Sequence, residues 1–68
     1  MRDLLDRLIG EMVKGRLTLD EGRRAFESRF IQQVLETSDG HLSRAAERLG
    51  MHRNTLARKI AEYRITIR

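Results

Sequence analysis

The sequence predicts an all-α fold of four helices, a helical hairpin followed by two short helices joined across a sharp turn. Three observations carry this expectation. Apolar residues recur at three- and four-residue intervals along most of the chain, glycines and short polar runs separate the periodic stretches, and neither a proline nor an alternating strand pattern interrupts them. At 68 residues the chain forms one small domain, near the size at which a single core supplies only about 3 to 5 kcal/mol of net stability. Cysteine is absent, so there is no disulfide framework, and self-association is the expected supplement.

The first helix runs from Arg2 to Lys14. Leu4, Leu5, Leu8, Ile9, Met12 and Val13 make one apolar face, with Arg2, Asp3, Asp6, Arg7 and Glu11 between them. Asp3 and Asp6 near the start and Lys14 and Arg16 near the end suit the helix dipole, and Gly15 is a natural stop. Gly10 costs the helix roughly 1 kcal/mol relative to alanine, so it marks either a close approach of another helix or a tolerated weakness. The stretch from Gly10 to Leu17 half resembles a phosphate-binding loop. It fails because Arg16 and Leu17 stand where Lys and then Ser or Thr must follow the second glycine.

Thr18-Leu19-Asp20-Glu21 is a capping box, in which the Thr18 hydroxyl accepts from the Glu21 amide while the Glu21 carboxylate reaches back to Thr18. It opens a second helix from about Leu19 to Thr37, whose apolar stripe of Leu19, Ala25, Phe26, Phe30, Ile31, Val34 and Leu35 can cover the first helix and something further. Asp20 with Arg24 and Arg23 with Glu27 are i,i+4 pairs worth tenths of a kcal/mol. Thr37-Ser38-Asp39-Gly40 is a turn by composition.

The last 28 residues organise the rest. Leu42, Ala45, Ala46 and Leu49 keep helical spacing, Gly50 ends that helix, and Met51, Leu56, Ile60 and Tyr63 begin a second stripe. This is a helix-turn-helix. Ala46 is the small residue that lets the two helices approach, and Gly50 can take the left-handed conformation that costs other residues roughly 1 kcal/mol or more. Met51, preceding an N-cap at His52, can staple onto Leu56 at the fourth helical position. His41 holds the matching N-cap slot of the preceding helix.

Charge is sorted by half. Residues 41–68 hold seven Arg or Lys against two acidic residues, a net +5, whereas residues 1–40 hold seven against eight, a net −1. The whole positive excess therefore lies on the helix-turn-helix, the electrostatic footprint of a face that meets nucleic-acid phosphates. No enzyme site assembles from this inventory, which offers no metal constellation, no cysteine nucleophile and no paired nucleophile and base at a convincing spacing. No cofactor is called for. No apolar run approaches the roughly 20 residues needed to span a bilayer, so a cytoplasmic protein without membrane association is expected.

From Gly40 to Tyr63 the sequence resembles the DNA-binding domain of the Fis family, shared by the factor for inversion stimulation and by the C-terminal domains of nitrogen-regulation-type enhancer-binding activators. The residues that carry the resemblance are Gly40, Arg44-Ala45-Ala46, Leu49-Gly50-Met51, Arg53, Thr55-Leu56, Arg58-Lys59-Ile60 and Tyr63. With the preceding helices the likeness extends over nearly the whole chain. It implies a four-helix Fis-like domain in which residues 1–38 form a dimerising helical hairpin and residues 39–68 the DNA-binding unit. The dimer surface would comprise Leu5, Leu8, Ile9, Met12, Phe26, Phe30 and Val34. Each subunit would set its last helix in a major groove, with the two recognition helices closer than one turn of DNA, so that the duplex bends.

Carried over residue by residue, His52, Arg53 and Asn54 would read bases, and Ser43, Arg44, Thr55, Arg58 and Lys59 would hold phosphates. Helix geometry supports most of this. With Leu56 and Ile60 inward, Asn54, Ala57, Arg58 and Ala61 face out, Arg53 and Thr55 flank them, and Lys59 lies nearer the buried edge. Arg53 is the strongest base-reading candidate, because a guanidinium can bond guanine O6 and N7 together. Four positions depart from the family pattern, two at helix caps and two on the outer face of the last helix. The two histidines stand where small polar caps are common; they are either simply tolerated near exposed helix ends, which is the favoured reading, or, for a protonated His52, gain a phosphate contact. Ala57 and Ala61 stand where some relatives carry basic residues.

The expected function is sequence-preferring binding of double-stranded DNA by a homodimer in bacterial transcription regulation, on the nucleoid. The chain would act as the DNA-binding domain of a longer activator or as a small free-standing regulator. The alternatives are a non-specific nucleoid-architectural protein and a helical adaptor whose arginine-rich face binds an acidic protein partner.

Overall fold

The computed structural model describes residues 2–67 and contains four helices: α1 (Arg2–Lys14), α2 (Leu19–Thr37), α3 (Leu42–Leu49) and α4 (Arg53–Tyr63). Among the described residues there is no strand. The capping box forms at the start of α2, with Thr18 N–H donating to Glu21 Oε1 at 2.8 Å and Glu21 N–H donating to Thr18 Oγ1 at 3.1 Å. Asp20 holds Arg23 at 2.8 Å and Arg24 at 3.2 Å, and Arg23 also reaches Glu27 at 3.5 Å. These guanidinium hydrogen bonds keep the Asp20 carboxyl below its ordinary pKa.

All four helices stop in the same way. The amide two residues beyond each helix's last ordinary turn bonds back to a carbonyl five residues earlier: Leu17 to Met12, Gly40 to Leu35, Met51 to Ala46 and Ile65 to Ile60, at 2.9 to 3.2 Å. The preceding amide closes a smaller ring by bonding to the carbonyl three residues before it, as in a Schellman motif. The residue between must be left-handed. It is Gly50 (φ 72°) after α3, but Arg16 (φ 62°), Asp39 (φ 54°) and Arg64 (φ 54°) elsewhere. The stop expected at Gly15 therefore falls one residue later, because the motif puts its left-handed position at Arg16.

The core is small and lies at one end. Ile31 and Leu35 of α2, Ala45 and Ala46 of α3 and Leu56 of α4 are its buried apolar residues, with Leu42, Leu49, Met51, Ile60, Tyr63 and Ile65 packed around them. Met51 and Leu56 thus share one cluster, as the staple requires. The core crosses residue 38, since the C-terminal half of α2 is its third wall. Val34 belongs to that wall. Expected on the dimer surface, it is half-buried against the helix-turn-helix core, because the stripe of α2 passes beneath α3 and α4 one turn beyond Phe30.

The other end is open. No described residue of α1 is buried, and Leu4, Leu5, Leu8, Ile9 and Val13 are exposed beside Phe26 and Phe30, which are 54% and 51% exposed. The hairpin closes where Met12 covers Gly22; a Cβ there would meet Met12 Cε at 3.2 Å. A Cβ at Gly10 would meet nothing within 4 Å, so within one chain Gly10 is tolerated rather than required. This protruding hairpin explains a radius of gyration of 13.3 Å, against about 11 Å for a compact domain of this length.

Arg16 is exposed, so its left-handed backbone has no packing to compensate it. Arg16→Gly should stabilise the fold by about 0.5 to 1 kcal/mol, a rise in melting temperature of about 2 to 8 °C in thermal denaturation. An unchanged or lower midpoint would show that the Arg16 side chain compensates the backbone.

Candidate nucleic-acid interface

The helix-turn-helix is held as a unit by its short turn and by apolar contacts on both inner faces. Gly50 N–H donates to Glu47 O and Met51 N–H to Ala46 O, ending α3. Two residues later His52 starts α4, with extended backbone at φ −70° and ψ 146°. Its Nδ1 accepts the Asn54 amide proton at 3.0 Å, so the ring is a true N-cap. A proton on Nδ1 would remove this bond and put positive charge at the positive end of the helix.

His41 uses the same atom in the opposite sense. Its Nδ1 lies 3.1 Å from Ser38 O, a contact that needs Nδ1–H as donor, and its side chain makes no cap bond to α3. The histidines occupy equivalent slots, yet one caps forward and the other ties back to the end of α2.

Leu56 is fully buried and fixes which face of α4 turns out. His52, Arg53, Asn54, Ala57, Arg58 and Ala61 are exposed, Thr55 is half-buried, and Ser43 and Arg44 are exposed in the first turn of α3. Among the described residues Arg44, Arg53 and Arg58 make no ion pair, and so keep their full donor set for an external anion. The first turns of α3 and α4 add amides without intrahelical acceptors, which, Asn54 N–H apart because His52 Nδ1 takes it, suit phosphate oxygens.

Lys59 departs from this group. Its ammonium pairs with Glu27 of α2, with both side chains about three-quarters covered, so it serves the α2–α4 contact rather than standing open to a phosphate. Tyr63 Oη donates to the same Glu27 Oε1 at 3.0 Å. The Lys59 hydrogen bond is the main reason the Glu27 carboxyl sits below its ordinary pKa, whereas burial raises that of Tyr63. Arg24, one turn before Glu27, reaches Glu62 at 3.2 Å and lies over the Tyr63 ring, 5.7 Å from its centroid. Sequence reasoning noticed Glu27 only as a partner of Arg23 along α2. A contact spanning 32 residues leaves no signal in local spacing. Arg48, also exposed, is engaged within the chain, donating to Thr37 Oγ1 at 2.8 Å.

Because the ring of His52 supplies the α4 cap, His52→Ala should cost about 1 kcal/mol in thermal denaturation, and His52→Asn should restore most of it. Equal stability of the wild type and the alanine variant would show that the cap contributes nothing.

Among the described residues, no helix is long and apolar enough to cross a membrane. No curated protein and no solved structure matched the chain. The sequence model of the family described as bacterial regulatory protein, Fis family, matches residues 22–63, which run from the first third of α2 to the last residue of α4 and leave α1 outside. That segment contains the whole core and the whole exposed face of α4, and it is more than half of the chain. The protein therefore belongs to the Fis family of bacterial regulatory proteins, and its helix-turn-helix is a DNA-binding domain of transcription regulation.

Proposed function

We propose that the protein binds double-stranded DNA as a homodimer, prefers particular sequences and bends the duplex. In this reading residues 1–38 join two copies and residues 39–68 meet the DNA. His52, Arg53 and Asn54 read bases, while Ser43, Arg44, Thr55 and Arg58 hold phosphates. The observation that carries the reading is the opposite character of the molecule's two ends. One presents exposed, unpaired arginines around the first turns of α3 and α4, and the other an apolar groove between α1 and α2.

Leu5, Leu8, Ile9, Met12, Phe26 and Phe30 line that groove. A second copy of the same hairpin would cover it with the same residue types, giving the self-complementary contact of a two-fold dimer. Two recognition helices related by that axis read a partly palindromic site, and a separation shorter than one turn of DNA requires bending. Lys59, held by Glu27, is left out of the phosphate set.

Selection from a random duplex pool, followed by titration of the enriched duplexes at two salt concentrations, tests the reading. The expected result is a partly palindromic motif with half-sites less than one turn apart. Binding without enrichment would indicate an architectural protein, and no binding at low salt would favour an adaptor for an acidic protein.

On the selected site, Arg53→Ala should cost about 1 to 3 kcal/mol and relax preference at one base position, whereas Arg58→Ala should weaken all duplexes alike and flatten the salt slope by about one unit. Matching profiles for the two variants would overturn their assignment. Phe30→Glu places a charge in the groove but not in the core. It should therefore give a folded monomer by sedimentation, with affinity for the full site reduced at least tenfold, and a folded dimer would show that the copies join elsewhere.

A further inference from the structure

The cluster around Glu27 ties α4 to α2 over a long sequence distance through several charged and polar groups. Among the described residues the other polar contact of α2 with comparable span is the single bond from Gln32 Nε2 to Thr66 O at 3.0 Å, and no residue of the cluster belongs to the DNA-contact set proposed above. One Glu27 oxygen accepts from Lys59 and Tyr63, which lie one turn apart on α4, so the carboxylate grips a whole turn of that helix. Arg24, a turn earlier on α2, holds Glu62 and covers the Tyr63 ring, while its Nε stays on Asp20 Oδ2 at 3.2 Å. Two turns of α2 therefore hold the last turn and a half of α4, at the end of the helix remote from His52, Arg53 and Asn54.

An apolar contact would glue these helices as well, but would tolerate sliding. Directional bonds from one acceptor to two fixed donors fix both the register and the tilt of α4 against α2. Tilt matters at the far end. Arg53 lies ten residues from Tyr63, roughly 15 Å along the helix, so a tilt of about 10° about the clamped turn moves it by about 2.6 Å. That approaches the spacing of about 3.4 Å between successive bases on a strand.

We propose that Glu27, with Lys59 and Tyr63, is a positioning residue that sets the distance between the two recognition helices of the dimer, and hence the half-site spacing the protein accepts. The inference rests on the dimeric DNA-reading function proposed above. α2 contributes to the groove where two copies would meet, and α4 carries the reading residues, so the α2–α4 joint lies between subunit contact and base contact in each half. Lys59 is central here. Its charge holds the joint instead of a phosphate.

The test measures affinity against spacing. Duplexes carrying the selected half-sites at the preferred separation, and at one base pair less and one more, are titrated with wild type, Glu27→Gln and Tyr63→Phe. Tyr63→Phe removes a single hydroxyl and keeps the ring under Arg24, so it reports even if Glu27→Gln folds poorly. Helical content and sedimentation are measured alongside. The expected result is folded dimers whose affinity for the preferred duplex stays within about threefold, but whose discrimination against the shifted spacings falls at least threefold, or whose optimum moves by one base pair. A lower melting temperature with a superimposable spacing profile would overturn the proposal, because that is what a merely structural joint predicts. A uniform loss at every separation would overturn it as well. A wild type with no spacing optimum would remove the dimeric reading, and the inference with it.

Discussion

Five small or medium apolar side chains have to hold three helices together, and the rest of the structure follows from that limit. Ile31, Leu35, Ala45, Ala46 and Leu56 form the core, and two of the five are alanines. Leu56 lies inside the helix-turn-helix and also meets the wall supplied by α2, so the orientation of α4 depends on how α2 packs. A core of this size takes in no described residue of α1, whose apolar side chains line the open groove with those of α2. The exposed groove at the other end is therefore the counterpart of the economy of the core, and a chain this short keeps its apolar hairpin available to another molecule.

Much of this was legible in the sequence because it is local. The capping box at Thr18, the length of α2, the left-handed Gly50 and the cap at His52 each follow from residues within one or two turns of one another. Periodicity likewise distinguished the buried Leu56 from the exposed Arg53, Asn54 and Arg58. What spacing could not reveal was which neighbour each part of a long stripe would meet. Phe26, Phe30 and Val34 follow one another at four-residue intervals, yet the first two face the groove and the third faces the core, because the apolar core reaches only the far half of α2 while α4 meets the nearer half through Arg24 and Glu27. Lys59 was ambiguous for the same reason, its surroundings being set by Glu27 far away in the chain.

The helix ends show another limit of local reading. Glycine is the usual mark of a left-handed stop, and by that rule Gly15 ended α1. The backbone instead placed Arg16 in that conformation, as it placed Asp39 and Arg64 elsewhere. Closing the last carbonyls of a helix outweighs roughly 1 kcal/mol of side-chain strain, so the hydrogen-bond geometry decides the stop and the residue type follows where it can.

That α1 buries none of its described residues separates two kinds of change in this chain. A substitution in the core alters folding and DNA contact together, and selection sees both at once. A substitution on the exposed apolar stripe of α1 touches no buried residue of the helix-turn-helix core. The family-matched segment begins at Gly22 and takes none of its buried core from α1, so the first helix adds an exposed apolar surface to the family fold rather than a wall to its core.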